Sequence, residues 1–121
     1  MFKIIETSYF ERDLKYYKKK LTSQGYKELK SKLDMLYDDF GDGKFSGDTF
    51  YADEIGVNKA KKVRIGIKKM NLGQSNGMRC IYYIVKDDQE VYMITIYRKA
   101  DMEPSNNELK EVVKDFIDNY F

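Results

Sequence analysis

The 121-residue chain has no histidine and no tryptophan, and only one cysteine and one proline. The missing histidine excludes Ser-His-Asp triads, imidazole-built zinc sites and two-histidine ribonuclease chemistry. Any proton transfer therefore falls to Lys, Tyr, Asp or Glu. The lone Cys80 excludes an internal disulfide. It lies in an apolar run and reads as a small core residue, which fits a reducing compartment or a protein indifferent to redox. With one potential thiolate and no imidazole, no metal site and no cofactor is expected. No apolar run approaches membrane-spanning length, and no charged-then-apolar leader opens the chain. The expected location is the cytoplasm, with no membrane partner.

What is present is charge and a regular apolar pattern. Charged residues make up 35% of the chain and hydrophobic ones 42%. Residues 1–121 are expected to form a single domain with one core. Residues 2–6 read as a short strand. Ser8 and Glu11 have capping-box spacing, and Phe10, Leu14, Tyr17 and Leu21 then repeat on one helical face. After a break at Thr22-Ser23, a second helical stripe runs through Tyr26, Leu29, Leu33, Leu36 and Phe40. Residues 41–58 are rich in Gly and Asp and read as a surface loop, with room for a short strand near Phe50-Tyr51.

From residue 60 the period changes to two: Val63, Ile65 and Ile67 alternate with Lys62, Arg64 and Lys68. Residues 79–86 are nearly all apolar, as in a central strand. A turn at 87–89 joins them to a strand over 90–98, giving an antiparallel hairpin. Ser105 and Glu108 open a last amphipathic helix through Leu109, Val112, Val113, Phe116, Ile117 and Tyr120. The order predicts an α+β fold: a small antiparallel sheet with an N-terminal helical hairpin and a C-terminal helix, the helices on one face.

Residues 59–79 carry seven basic side chains and no acidic one, in a chain whose net charge is only +2. They are Lys59, Lys61, Lys62, Arg64, Lys68, Lys69 and Arg79. Such a patch is an anion site, and a phosphodiester backbone is its commonest ligand. On the alternation above, Lys62, Arg64 and Lys68 leave the open face of the sheet. The loop Gly73-Gln74-Ser75-Asn76-Gly77 feeds Arg79 at the start of the next strand. Its glycines would let backbone approach a phosphate, and its polar side chains add hydrogen bonds. Tyr97-Arg98-Lys99 ends the last strand, so the strand ends converge on a basic trough. Tyr82, Tyr83, Tyr92 and Tyr97 are candidate stacking surfaces for bases. A lysine-rich edge that merely discourages aggregation is the plainer reading, but it leaves the arginines and the glycine loop unexplained.

The run Lys62-Val63-Arg64, the loop 73–77 leading to Arg79, the strand Cys80-Ile81-Tyr82-Tyr83 and the strand ending Tyr97-Arg98-Lys99 together resemble the RelE/ParE superfamily of bacterial toxins, HigB-like branch. The resemblance departs from that pattern at Gln74, where lysine is usual, at Asn76, where glycine is usual, and in lacking the histidine of some members. It implies the RelE-like fold and a toxin of a type II toxin-antitoxin system: a metal-independent endoribonuclease that acts at the ribosome decoding site and cleaves mRNA by 2′-hydroxyl attack. The catalytic positions it implies are Lys62, Arg64, Arg79, Tyr97 and Lys99. Lys59, Lys61, Lys68, Lys69, Gln74, Ser75, Asn76 and Arg98 would contact RNA. The implied partner is a cognate antitoxin of helix-turn-helix type. A ParE-like gyrase-binding toxin and a non-catalytic RNA-binding protein stand as alternatives.

Overall fold

The computed structural model describes residues 1–121. Strand β1 spans Lys3–Glu6, followed by helices α1 (Ser8–Lys20) and α2 (Ser23–Gly41). Strands β2 (Asp48–Ala52) and β3 (Lys59–Ile65), a 3-10 turn (Lys68–Met70), strands β4 (Met78–Val85) and β5 (Glu90–Arg98) and helix α3 (Asn106–Tyr120) complete the chain. The α+β fold is as the sequence predicts. The sheet has five strands in the order β1-β5-β4-β3-β2. Neighbours from β2 to β5 run antiparallel, while β1 joins the edge parallel to β5, so the sheet is mixed. The short strand allowed near Phe50-Tyr51 is β2.

Helix starts follow capping chemistry. Ser105 and Glu108 form the expected reciprocal box. At α1 the cap is Thr7, not Ser8. The Thr7 Oγ1 accepts Phe10 N–H at 3.2 Å and donates to the Met93 carbonyl at 2.8 Å. One side chain thus starts the helix and ties it to the sheet. Thr22 caps α2 in the same way by accepting Gly25 N–H.

The helices do not share a face. The hairpin α1/α2 buries Phe10, Leu14, Leu29, Leu33 and Phe40 against Val63, Ile65, Cys80, Tyr82 and Met93. Helix α3 buries Leu109, Val113 and Phe116 on the opposite face, against Ile81, Tyr83, Tyr92 and Ile94. This corrects the one-face expectation. It also explains why all eight residues of β4 are buried: both sides of that strand are covered. Full burial of each large apolar side chain contributes about 1.5–3 kcal/mol. Burial raises the pKa of the Cys80 thiol well above its ordinary value, so it stays protonated. A register shift between β4 and β5 at Ile81/Tyr82 moves β5 by one residue. Because of it Tyr92 and Tyr97, five positions apart, both face α3.

Candidate functional site

Beyond helix α3, a recess opens at the end of the sheet formed by the C-terminal end of β3, the start of β4 and the end of β5. Arg64 pairs across to Arg79, and Arg79 pairs onward to Tyr97, so these three lie in one row. Lys62 is two residues back along the same face, and Lys99 follows the strand. Lys99 is held there because its N–H donates to the Gly77 carbonyl at 3.0 Å. A recess of about 120 Å³ is lined by Lys62, Arg64, Ser75, Arg79, Tyr97, Lys99, Met102, Glu103 and Pro104. All the nominated catalytic positions meet there.

Arg79 is only 5% exposed and organises the recess. Its Nη1 donates to the carbonyls of Gln74 at 2.8 Å and Met78 at 3.2 Å, and its Nη2 to that of Ser75 at 2.9 Å. A guanidinium has five N–H donors, so Nε–H and one Nη2–H stay free. These adjacent donors suit two oxygens of one phosphate. Desolvation, then the neighbouring Arg64 cation, pull the Arg79 pKa below its usual value. An entering anion relieves that repulsion. Burial raises the Tyr97 pKa, only partly countered by Arg79, which keeps the phenol a proton donor at neutral pH. Lys99 meets Glu103 at 3.7 Å, and that carboxylate is the only acidic side chain of the recess. No ion pair holds Lys62 or Arg64.

The other nominated residues lie elsewhere. Lys59 pairs with Ile84 at the far end of the sheet. Lys61 is on the α2 side, its Nζ donating to the Phe45 carbonyl at 3.1 Å. Arg98 alternates with Tyr97 and is in phase with Ile96, so it belongs to the hairpin face; its N–H donates to Tyr17 Oη at 2.9 Å. Strand β3 ends at Ile65. Lys68 and Lys69 sit on the 3-10 turn against α2, where both backbone N–H groups donate to Glu28, at 2.7 and 2.9 Å. Those bonds lower the Glu28 pKa to about 2. The side chains of Gln74 and Asn76 are exposed and do not line the recess. Tyr82, Tyr83 and Tyr92 are buried in the two cores and offer no stacking face.

Gly77 also differs from its expected role. A Cβ there would collide with the Ile65 carbonyl and lie 2.9 Å from that of Gly73. Its close approach is to the chain itself, letting the loop fold back on β3 and place Ser75 and Arg79.

Sequence reading missed two features. One is Glu103, which lies after the basic run in a net-acidic segment. The other is a second basic region: residues 12–32 hold eight basic and two acidic side chains. The acidic C-terminal end of α2 cancels this in a longer window. The Tyr17–Arg98 bond and the Glu28 bonds to Lys68 and Lys69 bring the end of α1, the start of α2 and the 3-10 turn to the recess end of the molecule. Exposed Lys18, Lys19, Lys20, Lys68 and Lys69 gather there without ion pairs. At the opposite end Phe2 N–H bonds Gly41, Lys3 N–H bonds Gln89, and Asn58 bonds Lys86, which collects Asp39, Asp42, Asp53, Asp87 and Asp88. Basic side chains thus outnumber acidic ones at the recess end, and acidic ones are concentrated at the opposite end. In comparison with known proteins, the chain matches no family model and no curated sequence. No group of three or more His, Cys, Asp or Glu side chains is arranged to hold a metal ion.

Proposed function

We propose that the chain is a ribonuclease toxin of RelE/ParE type that cleaves mRNA at the ribosome by 2′-hydroxyl attack. It would act in the cytoplasm under the control of a cognate antitoxin. The observation that carries this reading is the convergence of Lys62, Arg64, Arg79, Tyr97 and Lys99 on one recess. Phosphodiester transfer without a metal needs cations where negative charge gathers on the phosphorane, and fixed donors there are the main source of rate enhancement. The free Nε–H/Nη2–H side of Arg79 takes two nonbridging oxygens, while Lys62 and Arg64 neutralise the backbone.

The 2′-oxygen bonds to phosphorus and the bond to the 5′-oxygen breaks. The products are a 2′,3′-cyclic phosphate and a 5′-hydroxyl. Glu103 receives the 2′-hydroxyl proton, since a carboxylate is the one lining group that accepts a proton without first giving one up. Tyr97 supplies a proton to the leaving 5′-oxygen, with Lys99 beside it.

The test is the chemistry of the cut ends. Purified protein with programmed ribosomes should give fragments with a 5′-hydroxyl, and none from a message 2′-deoxy at the cut position. Tyr97→Phe should lower the rate by ~100- to 10,000-fold. Ends carrying 5′-phosphate, or full cleavage by Tyr97→Phe, would refute the mechanism. Gyrase inhibition without RNA cleavage would replace the reading.

A further inference from the structure

A second concavity is larger than the basic recess. It is a groove of about 530 Å³ between α1 and α3, within the usual range for small-ligand sites. Tyr97, Met102 and Pro104 line both, so the two sites adjoin along one wall. The groove is also where the surface is unusually apolar. Tyr9 (54% exposed), Met102 (52%), Val112 (40%) and Tyr120 (53%) all border it. A small domain gains nothing in stability by exposing such groups together, so the patch marks a contact site.

The electrostatics of the two cavities are opposite. The recess is lined by four cations and one carboxylate. The groove has Arg12 as its only cation, and Arg12 is turned to Asp13 at 3.3 Å. Asp13 also accepts the Thr95 hydroxyl at 2.7 Å. Asp115 has no side-chain partner. Asn119 donates its amide to the Asp115 carbonyl at 2.8 Å, leaving its Oδ1 as an open acceptor. A phosphate is thus drawn to the recess and repelled from the groove. A flat uncharged ring with amino donors on its edge matches the groove: aromatic faces for stacking, and carboxylate and amide oxygens for N–H groups.

We propose that the α1/α3 groove is a nucleobase subsite, holding a base of the strand whose phosphate occupies the recess. It favours bases with an exocyclic amino group (cytosine, adenine, guanine) over uracil. Uracil offers these acceptors only its single N3–H, flanked by two carbonyl oxygens that meet them unfavourably. The inference rests on the recess taking an RNA phosphate, and it assigns a selectivity that the recess cations alone cannot supply.

The probes are three uncleavable pentamers, of deoxycytidine, deoxyuridine and abasic deoxyribose phosphate, titrated into the full-length chain by fluorescence anisotropy. The deoxycytidine pentamer should bind about tenfold tighter than the abasic one, in line with one stacked base. It should also exceed deoxyuridine several-fold, and Asp115→Asn should narrow that gap. Val112→Trp, which fills the groove from its exposed side, should bring the deoxycytidine and abasic pentamers level. Amide shifts of Thr95, Val112 and Asn119 in the wild type give a readout that does not depend on the variants folding. They should move with deoxycytidine and stay still with the abasic strand. Equal binding of all three pentamers would overturn the subsite while leaving the recess reading intact, and would give the groove to a protein partner. Binding of none would overturn both.

Discussion

Replacing Arg79 by lysine keeps the charge and removes the fork. Two of the fork's bonds, to the carbonyls of Gln74 and Ser75, fix the loop that forms one wall of the recess. A hydrogen bond to a charged group is worth about 1.5–3 kcal/mol. The loop is exposed, so both carbonyls regain water in the variant, and about 1–1.5 kcal/mol for each bond is the fitting figure. A lysine ammonium keeps at most one of these contacts, and its smaller desolvated volume beside Arg64 returns part of the loss. The net expectation is a loss of about 1–1.5 kcal/mol. For a chain of this size that lowers the melting temperature by roughly 4–6 °C and the urea midpoint by about 0.5–1 M. Urea unfolding followed by circular dichroism measures it, with hydrogen exchange at residues 73–77 as the local probe. Exchange there should accelerate more than in the core of β4. A change below about 0.5 kcal/mol, with loop protection unchanged, would show that Arg79 does not hold the loop. The reading of its free Nε–H/Nη2–H side as the phosphate grip would then lose its basis.

Gly77→Ala places a methyl group against the Ile65 carbonyl, and backbone on both sides leaves no flexible neighbour to yield. A destabilisation of about 1–3 kcal/mol in chemical denaturation is expected, with the end of β3 displaced. Tyr17 is raised to about 12, mainly by burial, so its contribution is complete below its ordinary pKa of 10.0 and is lost as pH rises through about 12. The stability difference between wild type and Tyr17→Phe should therefore be constant at neutral pH and shrink between those two values. Glu28, lowered to about 2 by the N–H groups of Lys69 and Lys68, acts in the opposite direction: its contribution stands above 4.5 and fades as pH falls toward 2, which Glu28→Gln should abolish. Replacing Lys18, Lys19 and Lys20 by glutamate should lower the salt dependence of binding to structured RNA by about 2–3 in the log–log slope, without altering pentamer binding in the recess.

Much of this was legible in the sequence because it is written in short-range periodicity. The i, i+4, i+7 stripe of α1, the Ser105/Glu108 box and the apolar run of β4 each declare an element, and antiparallel hairpin connectivity then fixes Arg64, Arg79 and Tyr97 in one row. The parts that stayed hidden depend on long-range geometry. Nothing local says that α3 crosses to the face opposite α1. Lys61 and Arg98 look like members of the basic run, but strand alternation sends them to the other side. Lys68 keeps the parity of Lys62 and Arg64, yet β3 stops at Ile65 because Gly66 and Gly77 allow the loop to fold back. Ser8 resembles a better cap than Thr7 by spacing. Thr7 caps because it is also where the chain leaves β1, and its hydroxyl reaches the Met93 carbonyl of the neighbouring β5.

Induction in a bacterial host with 5′-end mapping in the first minutes asks whether the recess cuts messenger RNA. Arg64→Ala is the informative companion, since Arg64 is exposed, makes no ion pair and can be removed without loosening the loop. Growth arrest with new cleavage sites inside translated frames is expected for the wild type, with both lost in Arg64→Ala at equal levels of folded protein. Arrest with intact messages, or cleavage that persists in the variant, would contradict the ribonuclease reading.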